Sequence, residues 1–266
     1  MRGRIGPTHQ VVTNNFLPWQ DDFQTTTEEP QISSNVEVQF NPNIEHWRNV
    51  WAKTNACVIP DFLNEQAAWD IQQYYFHQPK DFWDFAVFPD PFGHYEEGEY
   101  PLYRCKPNDP SIPDRIKYTL DCNDRGDFAY MYRRTENYHP HLEVFSSPEF
   151  IRQLEHITGY EDLQFNWDMT FISCYEPGHF NGPHTDGMNG RIAFVYHLSP
   201  DWKPWNGGLF ARMDDEWKKT TALVVPDFNK FTMFNVFGDG YGAPHLVTEV
   251  AQGCTKKRIS YTGWYQ

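Results

Sequence analysis

The sequence has no run of about eighteen apolar residues, so no membrane-spanning helix is expected. Its opening, Met1-Arg-Gly-Arg-Ile-Gly-Pro7, carries none of the apolar stretch that a secretory signal needs. Cationic residues are few: 22 Lys and Arg face 36 Asp and Glu, a net charge of −14 at pH 7. That balance argues against nonspecific binding to nucleic acid or to an anionic membrane, both of which require a basic face. The five cysteines, Cys57, Cys105, Cys122, Cys174 and Cys254, are scattered and never spaced CxxC. They read as reduced thiols of a cytoplasmic protein, neither a disulfide framework nor a thiolate zinc site. No internal repeat or low-complexity block is present. What the chain has in abundance is aromatic side chains, at 17 %, and twenty prolines. Its core is therefore expected to rest on Phe, Trp and Tyr more than on Leu and Ile, and 266 residues suffice for one large domain.

Residues 1–35 mix Gly, Pro, Asn, Gln, Thr and acids without apolar periodicity and read as a flexible tail. Residues 36–266 read as a single domain, beginning near the alternating segment Val36–Phe40. Ala56-Cys-Val-Ile-Pro60 reads as a short buried strand. Asn64 is expected to cap a helix from about Glu65 to His77, with Ala68, Ile71 and Tyr75 at helical spacing. Lys80 to Pro110 reads as a long aromatic and acidic loop. Loops of that length are uncommon and often functional, the alternative being a surface excursion that packs its own aromatics. Ser147-Pro148 opens a second helix with the stripe Phe150, Ile151, Leu154 and Ile157, closed by Gly159. Beyond it the period changes to two. Seven strand candidates follow: 169–175, 191–198, 208–212, 222–225, 230–237, 245–250 and 258–264. Many short strands separated by Gly, Pro and Asn turns indicate a sandwich or barrel, a mainly β fold with helices.

Among eleven histidines, His184-Thr-Asp186 is the one His-x-Asp in the chain. Side chains at i and i+2 of an extended segment project to the same side, so one short stretch offers an imidazole and a carboxylate to one metal. His94-Tyr-Glu96 and His139-Pro-His141-Leu-Glu143 are weaker clusters, because nothing downstream completes them in the same way. His245, at the start of a later strand candidate, completes the first: two His and one carboxylate form the facial triad of non-haem Fe(II) oxygenases, with three coordination positions left open. Arg258 lies thirteen residues further on. By alternation it shares a strand face with Ser260, Thr262 and Trp264, so Arg258 and Ser260 are placed to address one carboxylate together.

The residues Tyr175-Glu-Pro-Gly178, His184-x-Asp186, Arg191, Leu198-x-x-Asp201-Trp202, Gly207-Gly208-x-Phe210, Pro226, Asn229, Phe234, His245-x-Val247, Arg258-x-Ser260 and Gly263-Trp264-Tyr265 stand in a familiar order. From about residue 145 to the end, the chain resembles the catalytic domain of the 2-oxoglutarate- and Fe(II)-dependent prolyl hydroxylases. The helix Ser147–Gly159 also resembles that of the branch acting on ribosomal proteins. The resemblance implies a double-stranded β-helix of the jelly-roll type, with 36–160 as support and substrate loop and 161–266 as the iron-binding core. It implies Fe(II) on His184, Asp186 and His245, with Arg258 clamping 2-oxoglutarate beside Ser260. Tyr175 matches a pocket tyrosine of the family. One position departs from the pattern: where the family has a tyrosine that binds 2-oxoglutarate, this chain has His197, with Tyr196 on the opposite face. His197 is then either a ring N–H donor to the co-substrate or a core histidine bonded to its surroundings. O2 is the second co-substrate, and ascorbate would serve as an accessory reductant.

The implied reaction is hydroxylation of an unactivated C–H bond with release of succinate and CO2, on a prolyl residue of a peptide or protein. A free amino acid or other small molecule is the alternative substrate, and a non-catalytic interaction module is the alternative from another class. A metal hydrolase is disfavoured, because Arg258 would be idle and no general base adjoins the motif. The segment Asp81–Tyr100 is expected to act as a substrate lid, or else to anchor its aromatics on the outer wall of the barrel.

Overall fold

Trp47 and Trp51, four residues apart, bury one face of helix α1 (Ile44–Thr54) in the computed structural model, which describes residues 44–89, 103–105, 127–136, 138–186, 189–214, 219–236 and 244–266. The sequence gives no clear signal for α1, since those two indoles are its only buried anchors in a polar stretch. Helix α2 (Glu65–Phe76) buries Ala67, Ala68, Ile71 and Tyr75. Its start is not held as expected: the Asn64 side chain makes no capping bond, and its carbonyl accepts from Ala68 N–H at 3.1 Å. Helix α3 (Pro148–Thr158) follows its sequence signals closely. Ser147 Oγ accepts from Phe150 N–H at 3.2 Å, Phe150, Leu154 and Ile157 are buried, and Gly159 ends the helix at φ 73°.

All seven strand candidates of the C-terminal half are strands: β5 (Phe171–Tyr175), β7 (Ile192–His197), β8 (Phe210–Met213), β9 (Thr220–Val224), β10 (Lys230–Asn235), β11 (His245–Val247) and β12 (Arg258–Tyr265). β1 (Ala56–Ile59) is the short strand expected before α2. Four more were not read from the sequence: β2 (Asp84–Pro89), β3 (Tyr103–Cys105), β4 (Asp127–Arg134) and β6 (Phe180–His184). β6 escapes recognition because Asn181, Gly182 and Pro183 are poor strand formers. β2 corrects the loop reading: the β-prone run Asp84-Phe-Ala-Val-Phe-Pro89 pairs with β4 and β3 instead of opening a loop. Residues 90–102 and 106–126 lie outside the described part, as do Val36–Phe40, so the lid expectation for the tip of that segment falls there.

The sheet runs β1-β10-β7-β12-β5-β4-β6-β11-β8-β9 with antiparallel pairings, and β2 flanks β4. β4 turns the corner. Its residues Tyr132–Arg134 pair with β5, whereas Ala129 and Tyr130 pair with β6. The sheet thus folds over itself into two layers, the double-stranded β-helix expected, with α helices outside.

Alternation along β7, β10 and β12 separates two environments. Phe194, Tyr196, Phe231, Tyr261 and Tyr265 point outward into an aromatic layer shared with Phe62, Phe145 and Phe150. There Phe145 stacks on Phe194 at 5.2 Å and Phe62 on Phe231 at 4.3 Å. Between the layers Ala193, Phe210, Val224, Phe234, Val236 and Trp264 pack together. On this inner face the same strands place His197, Thr232, Arg258 and Ser260, all polar and all buried. Polar groups in such a position are retained when something satisfies them, which directs attention to what fills the interior.

The decoy histidines have a structural role. His139 and His141 are buried at a 3-10 turn, where His139 Nδ1 accepts from His141 N–H at 3.3 Å and His141 Nε2 lies 3.4 Å from Asp70 Oδ2. Burial, then the neighbouring His141, pushes His139 down to about 4, so it stays neutral and serves as an acceptor. His94-x-Glu96 lies outside the described residues.

Candidate active site

The antiparallel pairing of β6 with β11 sets His184 directly across from His245, and Asp186 follows two residues beyond the end of β6. His184 Nε2 is 3.6 Å from Asp186 Oδ1, and His245 Nε2 is 3.2 Å from Asp186 Oδ2. One ligand atom from each of the three lies within 4.8 Å of the others. The i, i+2 reading of His184 and Asp186 therefore holds, and the partner from the distant strand arrives by strand register. His184 Nδ1 lies 2.8 Å from the Gly182 carbonyl. A carbonyl only accepts, so it fixes the proton on Nδ1 and leaves the Nε2 lone pair on the side of Asp186. The His245 ring is wedged against Phe234 at 4.8 Å and His184 at 4.1 Å.

The electrostatics suit a cation. Burial pushes His184 down to about 4, and His245 adds to the effect against the pull of Asp186. Burial alone would raise Asp186, yet His245, by charge and hydrogen bond, and His184 hold it below its ordinary value. Two imidazoles and one carboxylate, buried and convergent, form the donor set that Fe(II) takes in a facial triad.

Arg258, on β12, is 1 % exposed. Its Nε donates to the Gly208 carbonyl at 2.7 Å, its Nη1 donates to Ser260 Oγ at 3.1 Å, and its guanidinium carbon sits 4.7 Å from the Tyr175 ring centroid. Its Nη2 has no hydrogen-bond partner, and no carboxylate pairs with it among the described residues. Burial lowers this guanidinium to about 10, with Tyr175 opposing. It is charged all the same, and a buried cation without a counter-charge is costly unless a ligand supplies one. The distal carboxylate of 2-oxoglutarate has the charge and the acceptor atoms that Nη2 lacks, so the residues present fit that group.

Ser173, Ser260 and His197 form one row across β5, β12 and β7. Ser173 Oγ and Ser260 Oγ are 2.9 Å apart. His197, fully buried, has Nε2 3.1 Å from Thr232 Oγ1, while its Nδ1 has no partner. Tyr196 points the other way, as expected, and donates its hydroxyl hydrogen to Asn229 Oδ1 at 2.8 Å. Ser173 and Thr232 were not singled out in the sequence. Neither sits in a motif: Ser173 reaches this row by pairing with Ser260, and Thr232 touches it diagonally through His197.

Gly207 and Gly208 adopt φ of 68° and 61° ahead of β8. A Cβ on Gly207 would collide with the Glu249 carbonyl oxygen, and one on Gly208 would come within 2.8 Å of Arg258 Cδ. These glycines let the backbone approach close enough for the Gly208 carbonyl to take the Arg258 Nε–H. Gly208→Ala is expected to cost about 1–3 kcal/mol, from left-handed strain and displacement of Arg258. Gly253→Ala, whose Cβ would meet nothing within 4 Å, should be nearly silent. Thermal unfolding of the two variants checks the contrast.

A double-layered antiparallel barrel that brings a buried His-x-Asp together with a distant His, and buries an arginine on its inner face, is suited to non-haem iron. Residues 170–266 match the model of the 2OG-Fe(II) oxygenase superfamily, a stretch that contains His184, Asp186, His245 and Arg258. That stretch accordingly carries a 2-oxoglutarate-dependent dioxygenase domain, with Fe(II) as cofactor and 2-oxoglutarate and O2 as co-substrates. Solved structures share the fold. A Pseudomonas putida prolyl-4-hydroxylase is 14% identical with a TM-score of 0.50, over 84% of this chain and 98% of that one. A 2OG-Fe(II) oxygenase family oxidoreductase from Burkholderia pseudomallei is 14% identical with a TM-score of 0.53, over 84% and 91%. The non-heme alpha ketoglutarate dependent epimerase SnoN from nogalamycin biosynthesis is 10% identical with a TM-score of 0.50, over 85% and 83%. A search of curated proteins gives no significant match. No helix among the described residues is long and apolar enough to cross a membrane.

Proposed function

We propose that the chain hydroxylates a prolyl residue of a peptide or protein, with His184, Asp186 and His245 holding Fe(II) and Arg258 holding the distal carboxylate of 2-oxoglutarate. The observation that carries the site assignment is the buried Arg258 guanidinium, without a carboxylate partner among the described residues, in the same barrel interior as the His–Asp–His cluster. Iron and 2-oxoglutarate, when bound, supply the oxidation: of the two atoms of O2 one enters succinate, as CO2 leaves, and the other enters the new C–OH.

The chain's own groups do the holding. Arg258 offers Nη2 and, with Ser260 Oγ, a paired donor surface to one carboxylate. Tyr175 backs the guanidinium with its ring face. Asp186 would supply the one carboxylate of the donor set that holds the iron. Val247, Phe210 and Phe234 wall the interior and keep water from the reacting atoms.

The prolyl substrate rests on the sequence resemblance and on the fold shared with the Pseudomonas putida prolyl-4-hydroxylase. The resemblance of Ser147–Gly159 directs the first trials to peptides of ribosomal proteins. The likeness to SnoN supports a second reading, a small-molecule substrate. Buried free thiols at Cys57, Cys174 and Cys254 support a reducing, cytoplasmic setting. The purified chain is to be incubated with Fe(II), 2-oxoglutarate, ascorbate and air, with prolyl peptides and separately with free L-proline. Mass spectrometry is expected to show one added oxygen on a peptide proline. Oxidation of the free amino acid alone would overturn the protein-substrate reading.

A further inference from the structure

Thr232 and His197 form a buried pair on the inner face of β10 and β7 that the site as described leaves without a task. Both are almost wholly inaccessible, at 1 % and 0 % exposure. His197 Nε2 meets Thr232 Oγ1 at 3.1 Å, and its Nδ1 is one of the buried polar atoms without a partner. The backbone places His197 opposite Ser260, the residue whose Oγ receives Arg258 Nη1. Two unsatisfied nitrogens, Arg258 Nη2 and His197 Nδ1, thus belong to residues on the same inner face, Arg258 standing two residues along β12 from the Ser260 that faces His197.

We propose that the Thr232 hydroxyl donates to His197 Nε2 and so holds the imidazole as its Nδ1–H tautomer, giving the pocket a neutral donor beside Arg258 for the distal carboxylate of 2-oxoglutarate. Thr232 is then a positioning residue and His197 a binding residue. The inference rests on the assignment of 2-oxoglutarate to this pocket.

The physical case turns on a count of protons. Burial, reinforced by Arg258 and Lys230, holds His197 well below its ordinary value, so the ring is neutral and carries a single N–H. One ring nitrogen donates and the other accepts. A threonine hydroxyl can take either role toward Nε2. If Nε2 kept the proton, the Nδ1 lone pair would face an incoming carboxylate and repel it. With the proton on Nδ1, Thr232 donates to Nε2 and the carboxylate accepts from Nδ1, so both ring nitrogens and the ligand are satisfied together. A histidine in this place also avoids adding a second charge next to Arg258.

Calorimetric titration of 2-oxoglutarate into the Fe(II)-loaded full chain under argon tests this, with nitrogen-15 imidazole spectra of the Zn(II)-loaded chain as the second readout. Thr232→Val keeps shape and burial but removes the hydroxyl, and is expected to weaken 2-oxoglutarate roughly two- to tenfold, with His197 shifting toward the Nε2–H tautomer. Thr232→Ser should restore both. His197→Phe should weaken binding about tenfold or more, because a donor to a charged acceptor is lost. If Thr232→Val binds as the wild type does, or the wild-type complex shows Nε2–H, the inference is overturned while Arg258 keeps its role. If the wild-type chain takes up no 2-oxoglutarate at all, the site assignment falls with it.

Discussion

Alanine at His184, Asp186 or His245, introduced singly, is expected to abolish Fe(II)-dependent consumption of 2-oxoglutarate. The three donors converge within 4.8 Å, and each contributes something the other two cannot replace. Asp186 brings the one negative charge, held ionised by its two histidine neighbours. His184 brings a lone pair whose direction the Gly182 carbonyl fixes, and His245 one whose ring is wedged by Phe234. With one ligand gone the site loses both charge or donor count and geometry, and a triad cut to two rarely holds Fe(II) in a reactive arrangement. Iron content after equilibrium dialysis, measured beside turnover, separates lost metal from misplaced metal. Full activity in any one of the three variants would remove that residue from the site.

Arg258→Ala is expected to raise the 2-oxoglutarate concentration needed for half-saturation by about ten- to a hundredfold, with a much smaller change in the iron requirement. A donor to a charged acceptor is worth roughly 1.5–3 kcal/mol, which sets that range. Arg258→Lys should recover only part of the loss. An ammonium keeps the charge but cannot span the Gly208 carbonyl, Ser260 Oγ and a ligand at once as the planar fork does. Stability should move differently from binding. Arg258→Met keeps most of the volume and removes a buried charge that has no counter-ion among the described residues, so its unfolding temperature is expected to equal or exceed that of the wild type. A variant that binds 2-oxoglutarate normally would place the clamp elsewhere.

The C-terminal half was legible because its chemistry and its periodicity coincide. Alternation in Arg258-Ile-Ser-Tyr-Thr-Gly-Trp-Tyr265 separates the row on the inner face from the row that joins the outer aromatic layer, and both were readable from residue types. Ser147 and Gly159 marked the ends of α3 by capping chemistry that is local. Reading failed where structure depends on partners distant in sequence. β6 contains Asn, Gly and Pro, and it is a strand because β4 and β11 bind it on both sides. β2 looked like a loop because its aromatic run sits in an acidic, proline-rich stretch, and pairing with β4 decides the matter. Asn64 has the right residue type for a cap, yet its side chain makes no capping bond, so composition alone misled. Ser173 comes to the site by its register with Ser260, and Thr232 by a diagonal contact with His197 across the β10–β7 pairing, neither of which a single segment of sequence encodes.

The most direct measurement is succinate formation by the purified chain given Fe(II), 2-oxoglutarate and O2, followed beside metal stoichiometry and repeated with Arg258→Ala. The account predicts one iron per chain and succinate in step with the 2-oxoglutarate consumed. It also predicts loss of the reaction when iron or O2 is withheld, and recovery in the variant only at much higher 2-oxoglutarate. A chain that binds one Fe(II) at His184, Asp186 and His245 yet neither binds nor consumes 2-oxoglutarate would contradict it.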